Sequence, residues 1–369
     1  MKQLSKWLLV AALPVLLALV VPAAAGKSTP TRSVPANGAV TGLALDGARV
    51  VYGVSPYGMT PVSVHVWNVL SGRGSTVKRT PQQAPHAPAA FAAGTNRIAW
   101  IDRGGSPSET DETLITTQLP RVHLKVAAGA VRSDDHAAGC EDGNWLSGLV
   151  GSANAIAVST WTSSDNNVSN ARLRLVGASG LRTIVSGPNA IVAESLDAGR
   201  IAVVRSMALW PGHYRLSGGD GSVGVYSTSG KLLFEVKKGT AKEAALSGTT
   251  LAVLTTTNRI ELYTAKTGAF VRSWRVPAGA AHLDLQAGIA IYSVYPRSVG
   301  PRALHVLQVK TGRDAVLARG VGPSPYTQGD DAQIDRLGVV YAVNAWKKTH
   351  TTHVVFVPMA RVLAAVARK

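Results

Sequence analysis

The chain has 369 residues, with 37 glycines, one cysteine and only 16% charged residues. A lone cysteine excludes a fold stapled by disulfides, and many glycines with few charges favour strands and turns over exposed amphipathic helices. The formal net charge is +17, but no basic run carries interleaved aromatic residues, which argues against a nucleic-acid partner.

Residues 1–25 have the three parts of an export signal. Lys2 and Lys6 form a positive start, an apolar stretch follows from Trp7 to Val21, and three alanines precede an expected cleavage at Gly26. The apolar stretch is shorter than the roughly 20 residues of a membrane span, although a retained anchor is the alternative. The sequence therefore predicts a secreted, periplasmic or cell-envelope protein without a membrane span after cleavage. Residues 26–38, rich in Ser, Thr and Pro, predict a flexible N-terminal segment.

Seven short apolar runs organise the rest of the chain, each preceded by a turn signal. They begin 38 to 58 residues apart, close to the roughly 40 to 50 residues of a propeller blade. A short, wholly apolar run suits a strand covered on both faces, as the second strand of a blade is. The runs are VVYGV from Val50, IAWI from Ile98, IAVST from Ile156, IAVV from Ile201, LAVL from Leu251, IAIYSV from Ile289 and VVYAV from Val339.

Five of these runs are followed by an alternating segment that ends in a Ser-Gly or Thr-Gly turn, typical of a third strand turning into a fourth. The turns are Ser71-Gly72, Ser179-Gly180, Ser229-Gly230, Thr267-Gly268 and Thr311-Gly312. No ten-residue helical pattern separates the runs, which excludes alternating strands and helices. The sequence thus predicts an all-β, seven-bladed β-propeller of four-stranded antiparallel blades over residues 39–369, with six or eight blades as alternatives.

Two ways of closing the ring stay open. Residues 32–38 could lie beside the final blade, or the C-terminal ARVLAAVARK could do so. The C-terminal segment is also compatible with a short helix, because Ala, Leu, Arg and Lys favour one.

The stretch IELYTAKTGAFVRSW, residues 260–274, resembles the repeat of quinoprotein-type propellers, in which a Thr-Gly turn precedes a strand carrying a tryptophan. The wider pattern is similar to exported propellers of the YncE-like and TolB-like groups. Trp274 lies further beyond its turn than in the quinoprotein repeat, no positions match the ligands of a quinone-linked Ca²⁺, and one cysteine excludes a C-x-x-C-H haem site. The resemblance therefore implies the fold and a binding role, and no cofactor.

The longest connections are predicted from the second to the third strand and between blades, two sets that emerge on the same face of a propeller. We name this the long-loop face and predict that it binds the ligand, because loops on a rigid scaffold concentrate binding residues. Aromatic rings in or beside these loops suit stacking on sugars or peptides, and one loop acid joins them. The candidate ligand-binding residues are Tyr57, Asp102, Trp161, Trp210, Tyr295, Tyr326 and Trp346.

Motifs of known chemistry are lacking. The acidic stretch SDDHAAGCEDGNW, residues 133–145, matches neither a zinc site nor an EF-hand, so no metal is predicted, and no nucleophile elbow, phosphate loop or His-Glu-x-x-His occurs. The sequence favours a monomeric, exported scaffold that binds a protein partner or an envelope polysaccharide. The alternative is a propeller enzyme, either quinone-dependent or glycan-cleaving, with a loop acid such as Asp102.

Overall fold

The computed structural model describes residues 30–55, 63–79, 87–94, 96–106, 109–135, 140–164, 167–188, 190–206, 221–236, 239–295, 302–322, 332–343 and 352–367. These residues form 28 strands and one helix. The strands make seven four-stranded antiparallel blades in a ring. The predicted fold class and blade number are confirmed.

The first three blades follow one another along the chain. The first comprises β2 (Ala39–Asp46), β3 (Arg49–Ser55), β4 (Ser63–Asn68) and β5 (Gly74–Arg79). The second comprises β6 (Ala87–Gly94), β7 (Arg97–Ser106), β8 (Glu109–Gln118) and β9 (Lys125–Asp135). The third comprises β10 (Cys140–Ser152), β11 (Ala155–Ser164), β12 (Asn167–Val176) and β13 (Leu181–Gly187).

Three more blades repeat the arrangement. The fourth comprises β14 (Ala190–Asp197), β15 (Arg200–Ser206), β16 (Ser222–Ser227) and β17 (Leu232–Val236). The fifth comprises β18 (Ala241–Ser247), β19 (Thr250–Thr255), β20 (Arg259–Thr264) and β21 (Phe270–Arg275). The sixth comprises β22 (Ala280–Gln286), β23 (Ile289–Val294), β24 (Arg302–Gln308) and β25 (Arg313–Val321).

Both ends of the chain build the seventh blade. Its first three strands, from the centre outward, are β26 (Ala332–Ile334), β27 (Gly338–Val343) and β28 (Thr352–Pro358), and its outermost strand is β1 (Arg32–Ala36). Arg32 pairs with Phe356 and Ala36 with Thr352, so the N-terminal segment closes the ring. The C-terminal segment forms α1 (Met359–Ala367) instead, which buries Val362 and Val366 against the sixth and seventh blades.

The apolar runs form the second strands, as predicted. Val203 and Val204 are adjacent on β15 and buried, and they belong to different clusters, one shared with the third blade and one with the fifth. The hydrophobic core is therefore not a single centre but a series of layers between blades. Each layer removes apolar surface from water on two blades at once, which is what holds the ring together.

Three predicted long loops are shorter than the sequence indicated. The described residues of the segments 102–112, 129–144 and 161–170 continue as paired strands: Ser106 pairs with Glu109, Asp135 with Cys140 and Ser164 with Asn167. Backbone pairing needs no apolar side chain, so the strands extend beyond the buried part of the blade, where alternation is lost. The β9–β10 pairing also joins the second and third blades into one eight-stranded sheet.

The short connections match the prediction. Two residues separate β14 from β15, β18 from β19 and β22 from β23. The strand ends that lead into the second-to-third-strand and inter-blade connections lie on the opposite, long-loop face. Segments 56–62, 207–220, 296–301, 323–331 and 344–351 of these connections are outside the described residues.

Trp274, the tryptophan of the quinoprotein-like stretch, docks on the next blade. Its Nε1 donates a hydrogen bond of 2.9 Å to the Val309 carbonyl, and its ring lies against Gly312 of the Thr-Gly turn. Phe234 lies in the same way against Gly268, one blade earlier. The Gly in these turns is thus the seat for a large side chain from the preceding blade.

Arginines at the start of second strands tie neighbouring blades on the short-turn side. Arg97 Nη1 donates to the Val176 carbonyl at 2.7 Å, and Arg200 Nη1 donates to the Ala265 carbonyl at 3.1 Å. Each guanidinium donates to a carbonyl beside a turn of the following blade and so ties the two blades together.

We predict that Gly312→Ala destabilises the protein more than Gly320→Ala does. The two glycines have nearly the same φ, +76° and +75°, but a Cβ at Gly312 would meet the Trp274 ring at 2.5 Å, whereas a Cβ at Gly320 meets nothing within 4 Å. The strained φ costs each variant about 1–2 kcal/mol, and the clash adds about 1–3 kcal/mol at Gly312. Urea unfolding of both variants measures the difference. Equal losses would show that docking of Trp274 contributes nothing.

Candidate functional site

A central channel forms a cavity at the middle of the ring, bounded by described residues. The seven inner strands β2, β6, β10, β14, β18, β22 and β26 surround it, and its volume is about 620 Å³. Six of these strands shift register against the second strand of the same blade. Such bulges turn extra side chains toward one side of a sheet and are common beside functional sites.

The bulge in β22 presents His282 to the channel. His282 is 8% exposed and has φ of +58°, which is uncommon for a residue other than glycine. Conformations of this kind persist only where the surrounding structure enforces them. The enforcing contacts here come from Tyr295, just after β23, and Arg302, the first residue of β24.

His282, Tyr295 and Arg302 form a stacked cluster, which we call the channel-mouth cluster. The His282 Nε2 atom lies 2.5 Å from the Tyr295 hydroxyl and 3.1 Å from Arg302 Nη1. The His282 and Tyr295 rings are stacked at 5.8 Å, and the Arg302 guanidinium lies 3.7 Å from the centre of the Tyr295 ring. Since a guanidinium can only donate, Nε2 acts as the acceptor toward Arg302.

The strand directions place this cluster at the long-loop face. His282 lies near the start of β22, Tyr295 follows the end of β23, and Arg302 opens β24. The cluster therefore lies at the base of the connection 296–301, and His282 also lines the channel. Of the predicted site residues, Tyr295 is the one that the described structure brings into such a cluster.

Several polar side chains around the channel connect blades. Glu243 Oε2 accepts from the Leu283 amide at 2.6 Å, and Asp284 Oδ2 accepts from the Ile334 amide at 2.9 Å. Gln333 Oε1 accepts from the Leu45 amide at 2.8 Å across the closing junction. Each inner strand here is the edge of its blade, so amides on its channel side have no strand partner, and these side chains have a structural role.

Two carboxyls meet where the first and seventh blades join. Asp335 Oδ1 accepts from the Leu337 amide at 2.7 Å and the Gly338 amide at 3.2 Å. Burial raises the pKa of Asp335 to about 6, with backbone hydrogen bonds opposing this rise and the nearby Asp46 adding to it. Burial also raises the pKa of Asp46, against the charges of Arg49 and Arg336.

Asp102 lies within β7 rather than in a loop and is 6% exposed. It pairs with Lys78 of the first blade and accepts a 2.8 Å hydrogen bond from Trp100 Nε1. The carboxylate is thus engaged in a buried contact between the first two blades.

Trp161 lies within β11 and is 4% exposed. Its ring stacks on Trp145 at 6.0 Å in the core layer between the third and fourth blades. Its Nε1 has no hydrogen-bond partner among the described residues. The predicted loop ring is therefore a packed ring in this structure, and a ligand role for it stays a prediction.

The other candidates, Tyr57, Trp210, Tyr326 and Trp346, lie outside the described residues. Much of the acidic stretch 133–145 has side chains beyond those described. Among the described residues, no group of three His, Cys, Asp or Glu side chains is placed to hold a metal ion.

Sequence reasoning missed His282 and Arg302. Arg302 carried a usable signal, since it directly follows a predicted long loop that begins at Tyr295. His282 carried none, because AAHLDL shows nothing of the bulge that turns its side chain inward.

We expect stability to fall as pH rises from about 4 to 7 because of Asp335. Its folded pKa of about 6 exceeds the ordinary 3.8, so the folded state binds the proton more tightly, and this stabilisation is lost as pH rises through the folded pKa. The expected loss is about 1–3 kcal/mol after allowance for solvent screening. Asp335→Asn removes this slope in urea unfolding, whereas Asp111→Asn, on β8, retains it. A wild-type slope in Asp335→Asn would contradict the assignment.

No family model and no curated protein matches the chain. The β-propeller domain of the trilobed protease from Pyrococcus furiosus, described as having an open velcro topology, is similar with a TM-score of 0.57 and 10% identity, over 88% of this chain and 94% of that chain. A prolyl endopeptidase gives 0.45 and 13%, over 86% and 54%. The nidogen/laminin complex gives 0.42 and 8%, over 71% and 90%. The first similarity supports the fold alone and confirms the fold-level resemblance to propeller proteins.

Within the described residues, no helix combines the length and apolar character needed to cross a bilayer.

Proposed function

We propose that the protein is an exported, monomeric binding scaffold that recognises a component of the cell envelope, a protein partner or a glycan, through its long-loop face. The observation that carries this proposal is the channel-mouth cluster of His282, Tyr295 and Arg302. It sets a cation, an aromatic ring and hydrogen-bonding edges at the base of a long loop.

The cluster is organised before any ligand arrives. Stacking on Tyr295 fixes the plane of the Arg302 guanidinium, and His282 fixes the Tyr295 hydroxyl. A long, flexible arginine normally loses side-chain entropy when it binds, and a stacked one has already lost part of it. Rigid aromatic and guanidinium groups are also the side chains that dominate binding surfaces.

The whole-chain charge of +17 supports an anionic target. In the cell envelope, wall polymers, lipid head groups and polysaccharides carry negative charge, and a strongly basic protein is attracted to them over several ångströms. The predicted signal at residues 1–25 supports the same compartment.

The described residues do not favour the enzymatic alternative. Asp102, the acid named for glycan cleavage, is buried in its contacts with Lys78 and Trp100. A general acid or base must come within hydrogen-bond reach of its substrate, and this carboxylate faces other side chains of the fold.

The test compares two arginines of the sixth blade. Arg302 opens β24 at the long-loop face, and Arg313 opens β25 at the opposite face. We expect Arg302→Ala to weaken retention of the purified protein on envelope material by about tenfold or more, as loss of a central charged contact does, and Arg313→Ala to retain wild-type binding. Co-sedimentation measures both.

Two preparations distinguish the target. Detergent-boiled wall material keeps glycans and loses folded proteins, whereas intact envelope fragments keep both. Retention on the boiled material assigns a glycan, and retention only on intact fragments assigns a protein. Equal binding by Arg302→Ala and the wild type, or no retention of the wild type on either preparation, would refute the proposal.

A further inference from the structure

A second cavity lies away from the channel, in a groove between the second and third blades. Its volume is about 410 Å³, within the range of small-molecule pockets. The floor comes from β9 at Ala128–Ala130, and the walls come from β10, β11 and β12. We call it the blade 2–3 groove. The polar side chains among its lining residues are Asn144, Thr160, Thr162, Asn170, Arg172 and Arg174.

Two arginines dominate this groove. Arg172 and Arg174 are two positions apart on β12, so their side chains leave the same side of the sheet. Within the described part of the chain neither forms an ion pair, and the buried Nε of Arg174 has no hydrogen-bond partner. Burial, and then the charge of Arg172, lower the pKa of Arg174. Two cations thus lie close together in a partly desolvated place.

Several arginines elsewhere in the fold have partners. Arg103 pairs with the buried Glu112 at 2.6 Å, and Arg205 pairs with Glu235 at 3.4 Å. Arg182 of the neighbouring strand β13 donates to the Thr228 carbonyl at 3.2 Å. The two arginines of the groove have no such acid beside them, because no Asp or Glu is among the described residues that line the cavity.

Amide and hydroxyl side chains line the rest of the groove beside the two arginines. Thr162 Oγ1 donates to Asn144 Oδ1 at 3.0 Å, which directs the Asn144 amide nitrogen away from Thr162. Asn170, on β12, has φ of +50°, an uncommon backbone conformation. Guanidinium, amide and hydroxyl groups together offer many donors, and oxygen atoms of an anion are their natural partners.

We propose that the blade 2–3 groove binds an oxyanion, the carboxylate or phosphate of a small acidic ligand, with Arg172 and Arg174 as its principal contacts. A guanidinium matches either group with two parallel hydrogen bonds. The bound anion supplies the negative charge that none of the described lining residues carries and gives Arg174 Nε an acceptor. The cavity exceeds one oxyanion, so part of the molecule that bears the group enters as well.

This site is separate from the channel-mouth cluster and does not depend on the proposed function. Arg302 lies in the sixth blade, whereas the groove is built by the second and third. Arg302→Ala is therefore expected to bind the groove ligand as tightly as the wild type does.

The experiment is isothermal titration calorimetry of the purified protein at low ionic strength with two probes, inorganic phosphate and trigalacturonic acid. We expect one site for at least one probe. Arg172→Gln/Arg174→Gln is expected to weaken it by about tenfold or more, since a charge-assisted hydrogen bond is among the stronger polar contacts. Arg275→Gln, which alters an exposed arginine on β21, is the matched control and keeps wild-type affinity.

The outcomes separate the sources of the anion. Binding of phosphate alone assigns a phosphate group, and binding of trigalacturonic acid alone assigns a carboxylate. If the double variant does not fold, Arg172→Gln replaces it, because Arg172 is exposed, and a loss of about threefold or more is expected. Absence of binding to the wild type for both probes, or unchanged affinity in the folded arginine variants, overturns the proposal.

Discussion

The structure depends on how each inner strand satisfies its backbone across a blade junction. On the edge that faces the channel, an inner strand has amides without a strand partner, and a side chain of the preceding blade accepts one of them. Glu112 does this for Leu146, Ser159 for Ala193, Ser195 for Leu246 and Glu243 for Leu283. Buried amides without acceptors are costly, so each blade fixes the position of the next. The apolar layers between neighbouring blades stabilise the same junctions farther from the channel.

This arrangement explains why the channel wall can hold strained residues. The backbone that follows His282 is anchored twice: the Leu283 amide donates to Glu243 of the fifth blade, and the Asp284 carboxylate accepts from the Ile334 amide of the seventh. These bonds add to the contacts with Tyr295 and Arg302 that hold the positive φ of His282. The bulge in β22 turns this side chain toward the channel.

Local pattern in the sequence was sufficient for most of the fold. The runs LAVL and IAIYSV are buried on both faces, so they contain almost only apolar residues. The turn at Thr311-Gly312 needs a positive φ, which its glycine indicates in the sequence. The extended strands of the second and third blades were not predictable, because residues such as Gly104 and Asp111 pair through backbone atoms alone. Closure by Arg32–Ala36 was one of two possibilities that the sequence left open, since a five-residue strand containing proline has little pattern.

The candidate site was less predictable than the fold, for a physical reason. Tyr295 could be found because aromatic residues at loop bases are conspicuous, but its partners come from another strand and from the far side of a loop. Arg172 and Arg174 read as ordinary alternation on a solvated strand. The groove becomes apparent only in the folded structure, where residues of β9 and β12 line the same cavity.

The closing strand has a consequence for how the molecule is made. Ribosomes and translocation channels deliver a chain N-terminus first, so β1 emerges among the earliest segments while β28, its partner, emerges among the last. Arg32 pairs with Phe356. Bringing two segments so distant in sequence together costs loop-closure entropy. The ring can therefore close only once β28 has emerged. Until then β1 is an unpaired strand that chaperones or other chains can bind.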